Sequence, residues 1–284
     1  MELKKAILFM FVSTISFACM NAIVKHLEHV NAYQIVFFRS ASCLVFTFAF
    51  LLKNKIPVLG NKRKLLVLRG VVGVISMTFF FMSTKYLPIG TAVTLRYLAP
   101  IFATIFAIFL LKEQVKHIQW LFFLIAFSGV VVLKGVDDNL NSYGLLLAFV
   151  SAFFSGLVYV VISLIGKKEH PVVIVNYFMF ISTIVGGLLA IKDWIWPVGR
   201  DWWLLCSLGC FGYFGQIYMT KAFQGVQTNQ ITPFKFLEVV FTLLLGVTIF
   251  SEKYSFWSLL GIALIVLGLS LNLKYRNNSK RIKD

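Results

Sequence analysis

Residues 84–113 read TKYLPIGTAVTLRYLAPIFATIFAIFLLKE, and residues 220–252 read TKAFQGVQTNQITPFKFLEVVFTLLLGVTIFSE. Both stretches open with Thr-Lys, continue into a long apolar run and end at a glutamate. Within these runs, Arg96 in the first corresponds to Lys235 in the second. Such internal similarity predicts a chain built from two related halves.

The repeat extends beyond these two stretches. Gly129 matches Gly268 at an offset of 139, and Ser13 matches Ser151 at an offset of 138. We therefore expect one five-helix repeat over residues 1–135, a second over 143–273, and a basic cytoplasmic tail over 274–284.

The composition predicts a membrane protein. Of 284 residues, 59% are hydrophobic and 13% are charged, whereas soluble domains average about 45–50% apolar and about 25% charged residues. A span needs about 20 mostly apolar residues. Ten runs qualify, which predicts an all-α membrane protein of about ten transmembrane helices. The runs are 5–25, 33–52, 66–86, 89–111, 117–134, 143–165, 172–191, 203–222, 228–250 and 255–273.

Positive charge predicts the orientation. The net charge is +16, but most Lys and Arg residues lie in short clusters between the apolar runs. These clusters fall on one side of the membrane if the N-terminus is cytoplasmic, as expected of loops that orient membrane spans. We therefore predict a multi-pass protein of the cell inner membrane with both termini cytoplasmic, and we do not expect nucleic acid as a partner. Five spans per half make the two repeats inverted.

No cofactor or metal site is expected from the sequence. The four cysteines lie in apolar runs, the four histidines lie near run ends, and neither set shows metal-ligand spacing with acidic residues. No Walker-type phosphate loop is present. These absences argue against an enzyme, and we expect no catalytic residue.

Ionisable side chains inside spans are costly and therefore mark functional sites. Arg96 and Lys235 occupy equivalent places in the two halves, so we expect them to approach one central cavity. Glu238 follows Lys235 by three residues, on the same helix face. One positive charge is then left over, which favours an anionic or zwitterionic solute with a carboxylate or phosphate. A structural salt-bridge network is the alternative reading.

A second set of polar residues completes the expected site. Tyr97, Asn21, Tyr159 and Gln216 are candidate substrate-binding residues, because a polar group in mid-span requires a partner. Another set of basic residues has either a gating or a structural role. These candidates are Arg39, Lys85 and Lys221.

The motifs resemble the drug/metabolite transporter superfamily and, within it, the EamA-type ten-helix carriers. The resemblance rests on Arg39 in the second run, on Arg96-Tyr97-Leu98 followed by Pro100, and on the glutamates Glu113 and Glu252 before the fifth and tenth runs. Residues 232–238 are similar to a signature of the subgroup that includes carriers of S-adenosylmethionine or riboflavin. The resemblance implies a transporter and leaves the substrate undefined.

The combined expectation is a secondary transporter that moves a small organic metabolite across the cytoplasmic membrane by alternating access. A membrane-embedded enzyme and a non-transporting sensor or structural protein are the alternatives. Proton coupling through Glu238, solute exchange and facilitated flux all remain open, and so does assembly into a homodimer.

Overall fold

A computed structural model of the chain describes residues 3–111, 117–136, 141–165, 169–225, 234 and 236–281. These residues form α-helices and contain no β-strand. The helices are α1 (Leu3–His26), α2 (Ala32–Lys53), α3 (Arg63–Ser83), α4 (Ile89–Arg96), α5 (Ala99–Leu111), α6 (His117–Val136), α7 (Ser142–Ile165), α8 (Pro171–Ala190), α9 (Arg200–Gly225), α10 (Leu237–Phe250) and α11 (Phe256–Arg281).

The all-helical membrane fold predicted from the sequence is confirmed. Within the described residues, six segments are long and apolar enough to cross a bilayer, and three shorter apolar helices accompany them. Helix ends lie within a few residues of most of the predicted run ends. The ten-span count stays a prediction, since α10 covers only the second part of the run at 228–250.

The predicted fourth run is a broken helix. Helix α4 ends at Arg96, and α5 starts again at Ala99. Pro100 follows at the second position of α5, where the missing N–H of proline costs little because helix N-termini have no intrahelical acceptor for it. The break puts Arg96 and Tyr97 at an interrupted point of the span, where backbone groups and side chains can face a cavity.

The two halves interlock and do not stand side by side. Helix α6 packs along α11, and α2 packs along α8. Helix α1 packs on α9 in the same way that α7 packs on α3. Each of these pairs joins a helix of one half to a helix of the other half. When every helix is replaced by its equivalent in the other half, the same set of pairs is obtained. This is the packing expected of two related repeats.

Glycines show this symmetry at atomic detail in the α6–α11 pair. A methyl group added at Gly129 would lie 2.5 Å from the carbonyl oxygen of Gly261, and one added at Gly268 would lie 2.6 Å from the carbonyl oxygen of Phe122. Phe122 and Gly261 are separated by 139 residues, as are Gly129 and Gly268. The absence of a side chain at both positions lets the two helix backbones touch.

Buried serines repeat the relation between the other helix pairs. The Ser13 hydroxyl in α1 donates to the Gly215 carbonyl oxygen in α9 at 2.7 Å. The Ser151 hydroxyl in α7 donates to the Ser76 carbonyl oxygen in α3 at 2.8 Å. Ser13 and Ser151 were matched from the sequence, and their acceptors are also equivalent in the two halves.

Replacing Gly129 or Gly268 with alanine is expected to destabilise the protein by about 1–3 kcal/mol, because the new methyl group must push two backbones apart. The measurement is the melting temperature of the protein in detergent. Gly212→Ala is the control, since a methyl group there meets its nearest atom at 3.5 Å, an ordinary contact. Equal melting temperatures for all three variants would contradict the close backbone packing.

Candidate functional site

A central cavity of ≈ 160 Å³ lies between the two halves. Helices α1, α2, α3 and α4 contribute Phe17, Arg39, Arg69 and Arg96 to its wall, and α7, α8, α9 and α10 contribute Ser155, Phe178, Gln216 and Glu238. The wall therefore draws on four helices from each half. Its polar groups lie where the two halves meet.

Arg39 lies in the cavity wall with 5% of its surface exposed. Its Nε donates to the Met20 sulfur at 3.2 Å, and its Nη1 donates to the Met77 sulfur. Its guanidinium carbon lies 5.9 Å from the Phe81 ring centre. Thioether sulfur is a weak acceptor, so these contacts hold the guanidinium in position without neutralising its charge.

Arg69 is a cavity residue that the sequence reasoning missed. It lies inside α3 with 8% of its surface exposed. Its guanidinium carbon sits 4.2 Å from the Phe178 ring centre. Neither its Nε nor its Nη1 has a hydrogen-bond partner among the described residues. The sequence feature that could have identified Arg69 as a cavity residue is its position within the apolar run at 66–86.

Gly73 makes room for the Arg69 guanidinium. A methyl group at Gly73 would lie 2.3 Å from Arg69 Nη1 and 2.8 Å from the Phe178 ring. The side chain of Arg69 therefore runs along α3 towards Gly73 and the cavity. The α3 backbone and the Phe178 ring fix the direction in which its free N–H groups point.

Arg96 closes α4 and also lines the cavity. Its guanidinium carbon lies 4.6 Å from the Phe80 ring centre, a cation–π contact. The next residue, Tyr97, lines the same cavity, and its hydroxyl donates to Glu238 Oε2 at 2.8 Å. The break between α4 and α5 therefore supplies one cation and one hydroxyl donor.

Glu238 lies in the first turn of α10 with 6% of its surface exposed. Besides the bond from Tyr97, its Oε1 accepts a hydrogen bond from Asn21 Nδ2 at 3.2 Å. Asn21 in α1 is fully buried. Asn21 contacts Glu238 and therefore helps to position this cavity residue.

The three arginines have no carboxylate partner among the described residues. The ion pairs found there join Lys25 to Glu28 and His29 to Asp201. Glu238 lines the same cavity, but its oxygens accept from Tyr97 and Asn21. Arg39 repels both Arg69 and Arg96 electrostatically. The cavity is therefore strongly cationic.

Uncharged polar groups line the α7 and α9 sides. Tyr159 and Gln216, both expected at the site, belong to the cavity wall. Ser155 is joined to Ser76 by a hydroxyl–hydroxyl hydrogen bond of 2.6 Å. This side of the cavity offers hydroxyl and amide groups and the half-exposed Tyr159 ring.

Lys85 lies away from the cavity, at the end of the bundle formed by the α1–α2 and α3–α4 links, which we call the Lys85 end. Its Nζ donates to the Val30 carbonyl oxygen at 2.7 Å, and Lys25 Nζ donates to the Thr84 carbonyl oxygen at 2.8 Å. Burial lowers the pKa of Lys85, and Glu28 partly offsets this. These bonds tie the two links together.

A carboxylate closes the same end from the second half. Glu252 accepts the Ile89 N–H at 3.0 Å, which caps the N-terminus of α4. Tyr254 donates to Glu252 and accepts the Gly90 N–H at 3.2 Å. The Glu252 link, noted from the sequence as part of a motif, thus fixes the helix that carries Arg96.

Two expected residues lie outside the part of the chain whose side chains are described. Lys235 is one, so its approach to Arg96 and Glu238 stays a prediction. Lys221 belongs to α9, but its side chain is likewise outside the description. Among the described residues, no group of three His, Cys, Asp or Glu residues forms a metal-binding cluster.

Arg69→Met is expected to raise the melting temperature of the solute-free protein, by the equivalent of about 1–3 kcal/mol, because it removes a buried charge with unpaired donors. Arg63→Met, at an exposed position in the same helix, is the control and should change stability by less than about 0.5 kcal/mol. A loss of stability in Arg69→Met would show instead that this arginine has a structural role.

Comparison with known proteins matches this architecture to a family of transporters. The model of the EamA-like transporter family matches residues 4–134 and again residues 142–274. The pseudopaline exporter of Pseudomonas aeruginosa is 26% identical over 93% of this chain and 94% of its own length. The S-adenosylmethionine uptake transporter of Rickettsia felis is 26% identical over 84% of this chain and 82% of its own.

Human solute carrier family 35 member G1 is 25% identical over 89% of this chain and 74% of its own length. A protein of known crystal structure aligns over 99% of both chains with a TM-score of 0.69 and 20% identity, which supports the fold alone. Since the family model matches both halves of the chain, the protein belongs to the EamA-like transporter family and is a membrane transporter, not an enzyme.

Proposed function

We propose that this protein is a secondary transporter for a small organic metabolite that carries a carboxylate or phosphate, and that it works by alternating access of the two halves around the central cavity. The observation that carries the proposal is the group of three cavity arginines, Arg39, Arg69 and Arg96, without carboxylate partners among the described residues.

The energetic argument starts from the cost of these charges. An arginine at the centre of a membrane helix costs about 2.5–3.5 kcal/mol even when it relaxes towards water. Structural arginines usually recover this cost by pairing with Asp or Glu. The cavity arginines contact thioethers and aromatic rings, which leaves N–H groups of Arg69 unused. An anionic solute supplies the missing acceptors, and guanidinium binds carboxylate or phosphate through two parallel hydrogen bonds.

Each expected site residue has a role in this proposal. Arg96 and Lys235 bind the acidic group of the solute, and Tyr159 and Gln216 contact its uncharged part. Tyr97 and Asn21 hold Glu238. The carboxylate of Glu238 either receives a cationic group of a zwitterionic solute or carries a coupling proton.

Alternating access requires that one end of the cavity is closed while the other is open. The bonds from Lys25 and Lys85 to the link carbonyls support closure of the Lys85 end. Lys221 is the counterpart of Lys85 in the second half, so we assign it the equivalent contact at the opposite end in the other state. In this proposal, Lys85 and Lys221 are the gate residues at the two ends of the cavity.

The proposed membrane is the cell inner membrane, with both termini in the cytoplasm. The basic links and the basic segment after residue 273 support this orientation, since cytoplasmic loops carry the excess of Lys and Arg. The relatives include one named for export and one named for uptake. Family membership therefore leaves the direction of transport open, as it does the formation of a homodimer.

The test is uptake into proteoliposomes. A panel of carboxylates, phosphate esters and their uncharged analogues is first screened for thermal stabilisation of the purified protein, since a binder shifts the folded population. The most stabilising compound is then used in radiolabelled form. We expect an acidic compound to be transported and the Arg96→Gln/Lys235→Gln double variant to take it up at least about 30-fold less well, a loss of roughly 2 kcal/mol.

Lys64→Gln is the matched control, because Lys64 is exposed on α3 and carries a charge of the same sign. Its uptake should equal that of the unmodified protein. Unchanged uptake in the double variant would contradict the binding assignment. Stabilisation by uncharged analogues alone, with no acidic compound transported, would contradict the proposed function.

The orientation is tested with reporter fusions. Alkaline phosphatase, which is active only outside the cytoplasm, should be active when inserted at Gly199 in the α8–α9 link and inactive when fused after Asp284. Green fluorescent protein should give the opposite pattern. An active phosphatase at the C-terminus would contradict the proposed cytoplasmic position of the C-terminus.

A further inference from the structure

We infer that the transported solute is a compact dicarboxylate whose two acidic groups bind at two separate guanidinium sites in the cavity. This inference rests on the proposed function and narrows its substrate class. Its basis is the placement of the three cavity arginines along α3, the charge that they leave uncompensated, and the size of the cavity.

The residues of α3 that each arginine contacts indicate where the two sites lie along this helix. Arg39 contacts Met77 and Phe81 of α3, and Arg96 contacts Phe80 of the same helix. Both guanidinium groups therefore contact residues 77–81 of α3. The Arg69 guanidinium lies beside Gly73. Gly73 precedes Met77 by four residues, which corresponds to about 6 Å along the helix axis.

The two sites offer different contacts. At the first site, Arg39 and Arg96 approach from α2 and α4, and Tyr97 follows directly in the chain. At the second site, Arg69 offers its unpartnered Nε and Nη1 and is braced by the Phe178 ring. Arg69 can therefore hold one carboxylate while Arg39 and Arg96 hold another. The spacing of about 6 Å along α3 fits two carboxylates joined by a short carbon chain.

The charge balance favours a dianion. Among the described cavity residues, Arg39, Arg69 and Arg96 are cations and Glu238 is the acidic residue. A monoanion would leave one positive charge buried in the lipid phase, whereas a dianion neutralises the site.

The cavity volume suits a small solute in this conformation. A cavity of about 150 Å³ in another protein holds one benzene molecule, and this cavity measures ≈ 160 Å³. A dicarboxylate of the size of succinate or glutarate is of this scale. Planar two-ring or three-ring systems, such as adenine nucleosides or flavins, are larger.

The experiment compares diacids with matched monoacids. Succinate, glutarate and adipate, their monomethyl esters, and inorganic phosphate are tested for binding to the purified, lipid-reconstituted protein through thermal stabilisation and isothermal calorimetry. We expect at least one diacid to bind about 30-fold or more tightly than its monomethyl ester. Phosphate, which has two charges on one group, should bind no better than the ester.

Two variants address the second site. Arg69→Gln should weaken the diacid at least about 30-fold and its ester less than about threefold, so that the preference disappears. Gly73→Ala keeps the charge but displaces Arg69, and it should weaken the diacid in the same way. Gly212→Ala, at the equivalent position of α9, is the control, because a methyl group there fits. Melting curves establish that each variant is folded.

The outcomes separate this inference from the proposed function. If an ester or phosphate binds as tightly as the best diacid, or if Arg69→Gln keeps the preference, the two-site inference is wrong and an anion transporter remains. If none of these diacids binds while another acidic metabolite is transported, the inference is again overturned and the proposed function stands. If no acidic compound binds or crosses the membrane, both are wrong.

Discussion

The placement of three arginines in the cavity wall without carboxylate partners among the described residues is the constraint on which the account depends. Arg39, Arg69 and Arg96 lie where transfer from water is costly. The fold does not relieve this cost with acidic side chains but holds the groups with thioethers and aromatic rings. Such contacts fix geometry and leave the charge exposed to the cavity. The protein therefore has a cationic cavity, which supports the proposal that its solute is an anion.

The cavity lies between two pseudo-symmetric halves. Equivalent positions of the two halves carry different side chains, so the charges in the cavity wall are distributed asymmetrically. Gly73 and Gly212 are equivalent, yet Gly73 faces Phe178 and Arg69, whereas the nearest atom to Gly212 belongs to Arg39. Arg39 and Phe178 are themselves equivalent positions, separated by 139 residues. Glu238 corresponds to Ala99. A symmetric backbone thus carries an asymmetric set of charges.

The sequence predicted the architecture well because apolar length and internal repetition directly determine the spans. Charged or hydroxyl groups inside apolar runs are conspicuous, so the sequence also singled out Arg96, Tyr97 and Glu238, which line the cavity and whose binding roles stay predictions. It missed Arg69 because an arginine near the start of a span reads as an interfacial charge. Only the fold reveals that its side chain runs along α3 into the cavity. The Tyr97 and Asn21 contacts with Glu238 were also hidden, since they join positions far apart in the chain.

The most direct measurement is an experimental structure of the lipid-reconstituted protein with glutarate. The account predicts one carboxylate within hydrogen-bonding distance of Arg69 Nε or Nη1 and the other at Arg39 and Arg96, with the carbon chain between them beside Tyr159. Arg69 paired with a carboxylate of the protein itself, with glutarate absent from the cavity, would contradict it.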